Sequence, residues 1–145
     1  MERYVLAVAL LAVAIGIAVL LDRRRTPASV PTRKFRIPTH LDRMDFPDPA
    51  TPWLVAVFSS TTCDSCRGVL EAVEPLRSPD VAVADIAFQL HRSLHTKYEI
   101  DAVPAVVAVD AAGEVKASWL GVIDTGELWS TVSDLVDGTE IPPPQ

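Results

Sequence analysis

Both cysteines of this 145-residue chain fall in "SSTTCDSCRGVL", residues 59–70, as Cys63 and Cys66. A pair at this spacing can clip a metal, bridge the chain or exchange electrons. Zinc needs about four ligands. There is no second C-x-x-C, and none of His40, His91 and His95 has a ligand spacing tied to the cysteines. His91 and His95 fall one helical turn apart and read as solvated side chains on an acidic surface, since a metal there needs further donors. A purely structural bridge would close so small a loop that it would stabilise little. A redox pair has a more definite physical meaning. After a buried strand, a C-x-x-C that opens a helix puts Cys63 at the helix N-terminus, where unsatisfied N–H groups and the macrodipole favour an anion. That lowers the thiol pKa, and the thiolate is the nucleophile. Cys66, one turn along, is placed to resolve a mixed disulfide on Cys63. Ser65 can donate a hydrogen bond to the thiolate, whereas Asp64 disfavours a second negative charge beside it.

The elements that must hold this pair follow from pattern and punctuation. Trp53 to Phe58 (WLVAVF) is apolar and bounded by Pro52 and Ser59, so it reads as a strand buried on both faces. Arg67 to Leu76 repeats apolar residues at helical spacing. Asp80 to Phe88 is a second strand, and Leu90 to Tyr98 reads as a helix with Leu90, Leu94 and Tyr98 on one face. Ala105 to Val109 is a third strand, Asp110 to Gly113 a turn, and Glu114 to Leu120 an antiparallel return. Thr125 to Val136 is the last helix, ended by Asp137-Gly138. Lys34 to Ile37 reads as a short edge strand. Asp42 to Pro52, rich in Asp and Pro, reads as loop with at most one helical turn. Helices between strands imply right-handed parallel crossovers, giving a mixed central sheet with helices on both faces.

Not all of the 49% hydrophobic residues belong to that core. Tyr4 to Leu21 carries no charge and, as a helix, would rise roughly 27 Å, close to the bilayer hydrocarbon thickness. It lacks the polar stripe of a buried helix and the basic n-region of a signal peptide. The expected organisation is a transmembrane helix over 4–21, a basic linker over 22–32, a folded domain over 33–138 and a disordered tail over 139–145. Residues 22–36 carry six basic groups against Asp22, and residues 37–145 carry six basic against 17 acidic. The acidic body argues against nucleic acid as a partner, and the basic stretch suits anionic headgroups. The same Lys and Arg residues place the soluble domain of this single-pass cell-membrane protein on the cytoplasmic side. Export behind a leading hydrophobic segment is the alternative.

Taken together, "WLVAVFSSTTCDSC", "YEIDAVPAVVAVDAAGEVKASWLG" and "DTGELW" resemble the thioredoxin superfamily over about residues 33–138. The resemblance implies a thioredoxin-like α/β fold, and a cis proline at Val103-Pro104 facing the C-x-x-C. It implies that Cys63 attacks, Cys66 resolves and the Val103 backbone pairs with an extended substrate. The sequence also departs from the family. Thr62-Cys-Asp-Ser-Cys replaces Trp-Cys-Gly-Pro-Cys. The buried Asp that many thioredoxins carry before the motif falls on Val57, and the place of a buried Lys is held by Asp85. Asp85 is expected to replace the missing acid from a neighbouring central strand; a strand-end surface position is the alternative.

The implied activity is that of a membrane-anchored thiol–disulfide oxidoreductase acting on protein clients and recharged by a donor or acceptor protein. No organic cofactor and no metal is expected, because the dithiol itself carries two electrons. A thioredoxin-fold binding or redox-sensing module that tethers a partner at the membrane is the competing reading.

Overall fold

The computed structural model describes Met1 and residues 35–138. The expected membrane helix 4–21, the linker 22–32 and the tail 139–145 lie outside the described residues. No helix among the described residues is long and apolar enough to cross a membrane.

Strands β1 (Trp53–Ser59), β2 (Val81–Ala87), β3 (Ala105–Val109) and β4 (Val115–Leu120) form one sheet in the order β2-β1-β3-β4. The two unbroken apolar runs become its centre, because only a strand covered on both faces tolerates them. Every residue of β1 from Leu54 to Ser59 is buried, as is all of β3. The pleat divides β1 between two cores. Leu54, Ala56 and Phe58 face a cluster with Leu41, Phe46, Ile86 and Tyr98. Val55 and Val57 face Val69, Val73, Leu128 and Val132. The latter four come from helices α1 (Asp64–Val73) and α3 (Thr125–Val136). Trp129 of α3 ties the two helices together, its Nε1 donating to Ala72 O at 2.8 Å.

Three expectations need correction. Residues 35–37 form no strand; the nearest pairing is an isolated bridge between His40 and Glu114. The helix after β2 is shorter than its apolar spacing suggests, α2 spanning Arg92–Lys97, and Leu90 stands outside it, 77% exposed. Only the first crossover is parallel. β1 pairs with β2 in parallel, but β3 runs antiparallel to β1 and therefore to β2. A parallel return has to carry the chain back along a strand of roughly 23 Å, and a six-residue helix rises only about 9 Å. The α2 segment therefore does not carry the chain back the length of the sheet, and β3 starts from the end where β2 finishes. The mixed sheet with helices on both faces stands, with the antiparallel pairing reaching its centre.

This topology gathers the C-terminal ends of β1, β2 and β4 and the start of β3 at one end of the sheet. The other end is closed by the loop of residues 41–52, which contains a single 3-10 turn, Arg43–Asp45. Leu41 N donates to Gly113 O at 2.8 Å. Gly113 has φ 90°, and a Cβ there would come within 2.1 Å of Leu41 O, so this hairpin turn requires glycine.

Candidate active site

β1 runs out at Ser59, and four residues later the chain enters α1 with Cys63 as its N-cap, φ −103° and ψ 108°. No side chain caps this helix end. Cys63 and Cys66 are joined in a disulfide with Cα atoms 5.4 Å apart. The two sulfurs are not equivalent. Cys63 is half-buried, whereas Cys66 is 2% exposed, on the buried side of α1 with Val69 and Val73. An incoming sulfur can reach the first and not the second. Ser65 Oγ lies 3.5 Å from Cys63 Sγ, and Asp64 is exposed in the first turn of the helix.

The Val103–Pro104 peptide bond is cis. Ala105 pairs with Phe58 across β1 and β3, so Pro104 stands level with Ser59, at the end of the sheet from which the motif springs. Pro104 is buried, and its carbonyl accepts from Gly121 N at 2.8 Å. The N–H and C=O of Val103 make no hydrogen bond to another described residue. In a half-buried position this leaves a donor and an acceptor ready for an extended chain.

Asp85 does not occupy the expected place. β2 is an edge strand, and Asp85 is exposed rather than buried. Its register is nevertheless informative, because Asp85 pairs with Val57, directly beside the position that carries an acid in many thioredoxins. Both residues therefore lie on the α1 face of the sheet. Ser59, two residues beyond Val57 on that face and 2% exposed, donates through Oγ to Asp85 Oδ1 at 2.5 Å. Sequence reasoning missed Ser59 because a serine after an apolar run reads as a strand terminator. Gln89 was missed as well. It joins the end of β2 to the motif loop, its Nε2 donating to Ser60 Oγ at 2.9 Å and its Oε1 accepting from Thr61 N at 3.0 Å.

The histidine pair also needs correction. His91 is exposed, but His95 is buried, 3% exposed, with Phe58 and Phe88 against its ring. Helical spacing put both on one face, but α2 begins only at Arg92, so they belong to different environments. No cluster of three or more His, Cys, Asp or Glu side chains suited to a metal ion occurs among the described residues.

No family model matches the sequence, and no curated protein is significantly similar to it. Solved structures are similar in backbone. A point-mutant thioredoxin from Halobacterium salinarum NRC-1 is 26% identical, with a TM-score of 0.51, over 66% of this chain and 81% of that one. Thioredoxin O2 from Arabidopsis thaliana, in its oxidized state, is 23% identical with a TM-score of 0.52, over 60% and 77% of the two chains. The thioredoxin Mala s 13 of Malassezia sympodialis shares the fold at 18% identity and a TM-score of 0.50, over 59% and 76%. The likeness read from motifs between Trp53 and Trp129 is thus carried by the backbone too, and the chain has a thioredoxin-like fold with a Cys-x-x-Cys disulfide.

Proposed function

We propose that this protein is a thiol–disulfide oxidoreductase acting on protein clients, held at a membrane by residues 4–21. The observation that carries the reading is the asymmetry of the pair: a half-buried Cys63 capping α1, bonded to a buried Cys66, beside a Val103 backbone with both polar groups open. In the reducing direction the Cys63 thiolate attacks a client disulfide. One client sulfur leaves as a thiolate and the other is joined to Cys63 Sγ. Cys66 then loses its proton and attacks Cys63 Sγ, releasing the second client thiolate. Two electrons have passed to the client, and the pair stands as the disulfide seen in the structure. A dithiol protein would restore it; run backwards, the same steps oxidise a client.

In this reading Val103 holds the client backbone as an added strand. Asp64 and Ser65 set the stability of the Cys63 thiolate in opposite senses. Asp85, bonded to Ser59 on the α1 face, takes the proton that Cys66 gives up. Cys66→Ser in the living cell tests the whole scheme, because the mixed disulfide can then no longer be resolved. Several covalent client adducts support the enzyme, a single adduct points to a redox sensor, and none points to a tethering module. Membrane attachment rests on Tyr4 to Leu21, and cytoplasmic orientation on Arg23, Arg24 and Arg25. A C-terminal reporter active only in the export compartment would reverse the orientation.

A further inference from the structure

On the α2 side of the motif loop lies a pocket of about 220 Å³ lined by Ser60, Phe88, His95, Ile100, Asp101 and Val103. It runs into a second hollow of about 380 Å³ along α2, and the two share Phe88, His95, Ile100 and Asp101. The resulting trough begins at the backbone proposed to hold the client.

Its floor contains a fixed polar atom. The His95 ring is wedged edge-on between Phe58 and Phe88, each with its centroid 5.3 Å away. Nε2 lies 2.6 Å from Ile86 O. A carbonyl oxygen only accepts, so Nε2 carries a proton and donates it. In the neutral ring Nδ1 then holds the lone pair, and it makes no hydrogen bond to another described residue. Nor is it sealed off. Among the described residues, Arg43 Nε is the only sealed side-chain nitrogen or oxygen without a partner. The small exposure left to His95 therefore includes Nδ1, and it opens into the trough. The ring has no freedom to turn away, because its other nitrogen is already committed.

The walls and mouth indicate what would bind. Phe88, Ile100 and Val103 offer apolar surface to an aliphatic stem. Asp101 is exposed and is the one charged residue lining the near pocket apart from any charge on His95. It forms no ion pair among the described residues, whereas Glu99 in the far hollow is taken by Arg36 at 2.5 Å. Arg92 covers Phe88 from 4.9 Å, its cation directed at the ring. Apart from the open Val103 backbone, the trough thus offers two free side-chain acceptors, one of them anionic, with Arg36 of the far hollow, itself paired with Glu99, the nearby cation that feels the charge of Asp101.

We propose that this trough is a side-chain subsite that reads a lysine or arginine flanking the attacked cysteine of the client, with His95 Nδ1 and Asp101 as its acceptors. It rests on the exchange reading above. A strand laid against Val103 sends alternate side chains to opposite sides, so a residue near the client cysteine is directed into the trough.

The test uses the whole chain and synthetic octapeptides whose single cysteine carries an aryl disulfide, with lysine, norleucine or glutamate as its neighbour. One charge-assisted hydrogen bond should favour lysine over norleucine about tenfold in kcat/KM, with glutamate slowest. Asp101→Asn should bring the lysine-to-norleucine ratio towards one. A binding measurement stands beside the kinetics. In the Cys63→Ser, Cys66→Ser chain, the ¹⁵N resonance of His95 Nδ1 should move upfield with the lysine peptide and stay in place with norleucine. A lysine-specific shift from a chain that, with its cysteines intact, turns over no disulfide keeps the subsite and overturns the exchange reading. Turnover that ignores the neighbouring residue, with no shift at Nδ1, keeps the exchange reading and overturns the subsite.

Discussion

Arg43 and Val103 both sit in irregular loops, at opposite ends of one sheet, and the fold treats them differently. Arg43 is 6% exposed, and its guanidinium donates to Asp110 O at 2.9 Å and to Thr51 O at 2.8 Å. Burial pulls its pKa below the ordinary value, opposed by the charge of Asp110. Nearby, Asp45 accepts from Lys97 Nζ at 2.6 Å and from the Tyr98 hydroxyl, fastening the 41–52 loop to the end of α2. At Val103 the polar groups are left open, and around it Thr61, Thr62, Asp64 and Ser65 are exposed, with Val122 87% exposed. Both loops are rich in polar residues, and neither contains a strand or an α-helix. The difference is where their hydrogen-bonding capacity is spent: one loop spends nearly all of it within the fold, Arg43 Nε excepted, and closes the core, and the other leaves the Val103 donor and acceptor open. Irregular chain is therefore not equivalent to mobile or functional chain.

The sharpest way to break this contrast is at its closed end. Arg43→Met removes the donor for three part-buried carbonyls, those of Asp48, Thr51 and Asp110, and is expected to cost about 2–4 kcal/mol of stability. Disulfide exchange per folded molecule should be unchanged. Urea unfolding followed by Trp fluorescence checks the first, and an exchange assay at low temperature the second. A large loss of exchange at full stability would mean that the closed end communicates with the site.

At the open end, Asp85→Asn should slow resolution of the mixed disulfide about tenfold or more, at the low end of general-base effects. The first attack by Cys63 should be largely intact. Rapid-mixing kinetics would show mixed disulfide accumulating. Resolution as fast as in the wild type across neutral pH would make Asp85 an edge-strand surface residue whose bond to Ser59 is only structural.

A smaller effect separates the loops by pH. Asp45 is held below the usual carboxylate range by Lys97 first and by the Tyr98 hydroxyl second. Its folded pKa is therefore below its unfolded one. The stability it contributes is present above the ordinary value of 3.8 and is lost as the pH falls from there through the lowered folded value. The group is partly exposed, so the loss should be no more than about 1 kcal/mol. Unfolding curves between pH 5 and pH 2 should converge for wild type and Asp45→Asn at the acid end. Parallel curves would remove Asp45 from the closure.

The smallest expected change is in the tuning of the pair. Asp64→Asn should lower the Cys63 thiolate pKa, because the carboxylate in the first turn opposes the field of the helix end. With Asp64 present the reduced form is less favoured, so the wild-type pair should be the more reducing of the two. Thiolate absorbance against pH decides the first point; an unchanged or raised pKa in the variant removes Asp64 from the tuning.

Local pattern was enough for the elements whose burial is fixed by their own residues. The run AVVAV predicted β3 at its observed bounds, Ala105–Val109, because a strand covered on both faces needs apolar side chains at every position. Thr125–Val136 was legible for the complementary reason: an apolar set at helical spacing and a glycine beyond its end. The strand ending in C-x-x-C, the helix after it, and the segment from Tyr98 through Pro104 into the hairpin together carried the resemblance to the thioredoxin superfamily. What the sequence could not decide depends on how distant segments align. Nothing local to residues 35–37 says that no partner strand receives them, and nothing in Leu90 to Tyr98 says that His95 will be wedged between Phe58 and Phe88. Asp85 became an edge residue bonded to a buried Ser59 only when β2 chose its register on β1. Side-chain type and spacing set what each segment can bury, but an edge, a register or an open backbone group is a property of the neighbours, and these are fixed only when the sheet assembles.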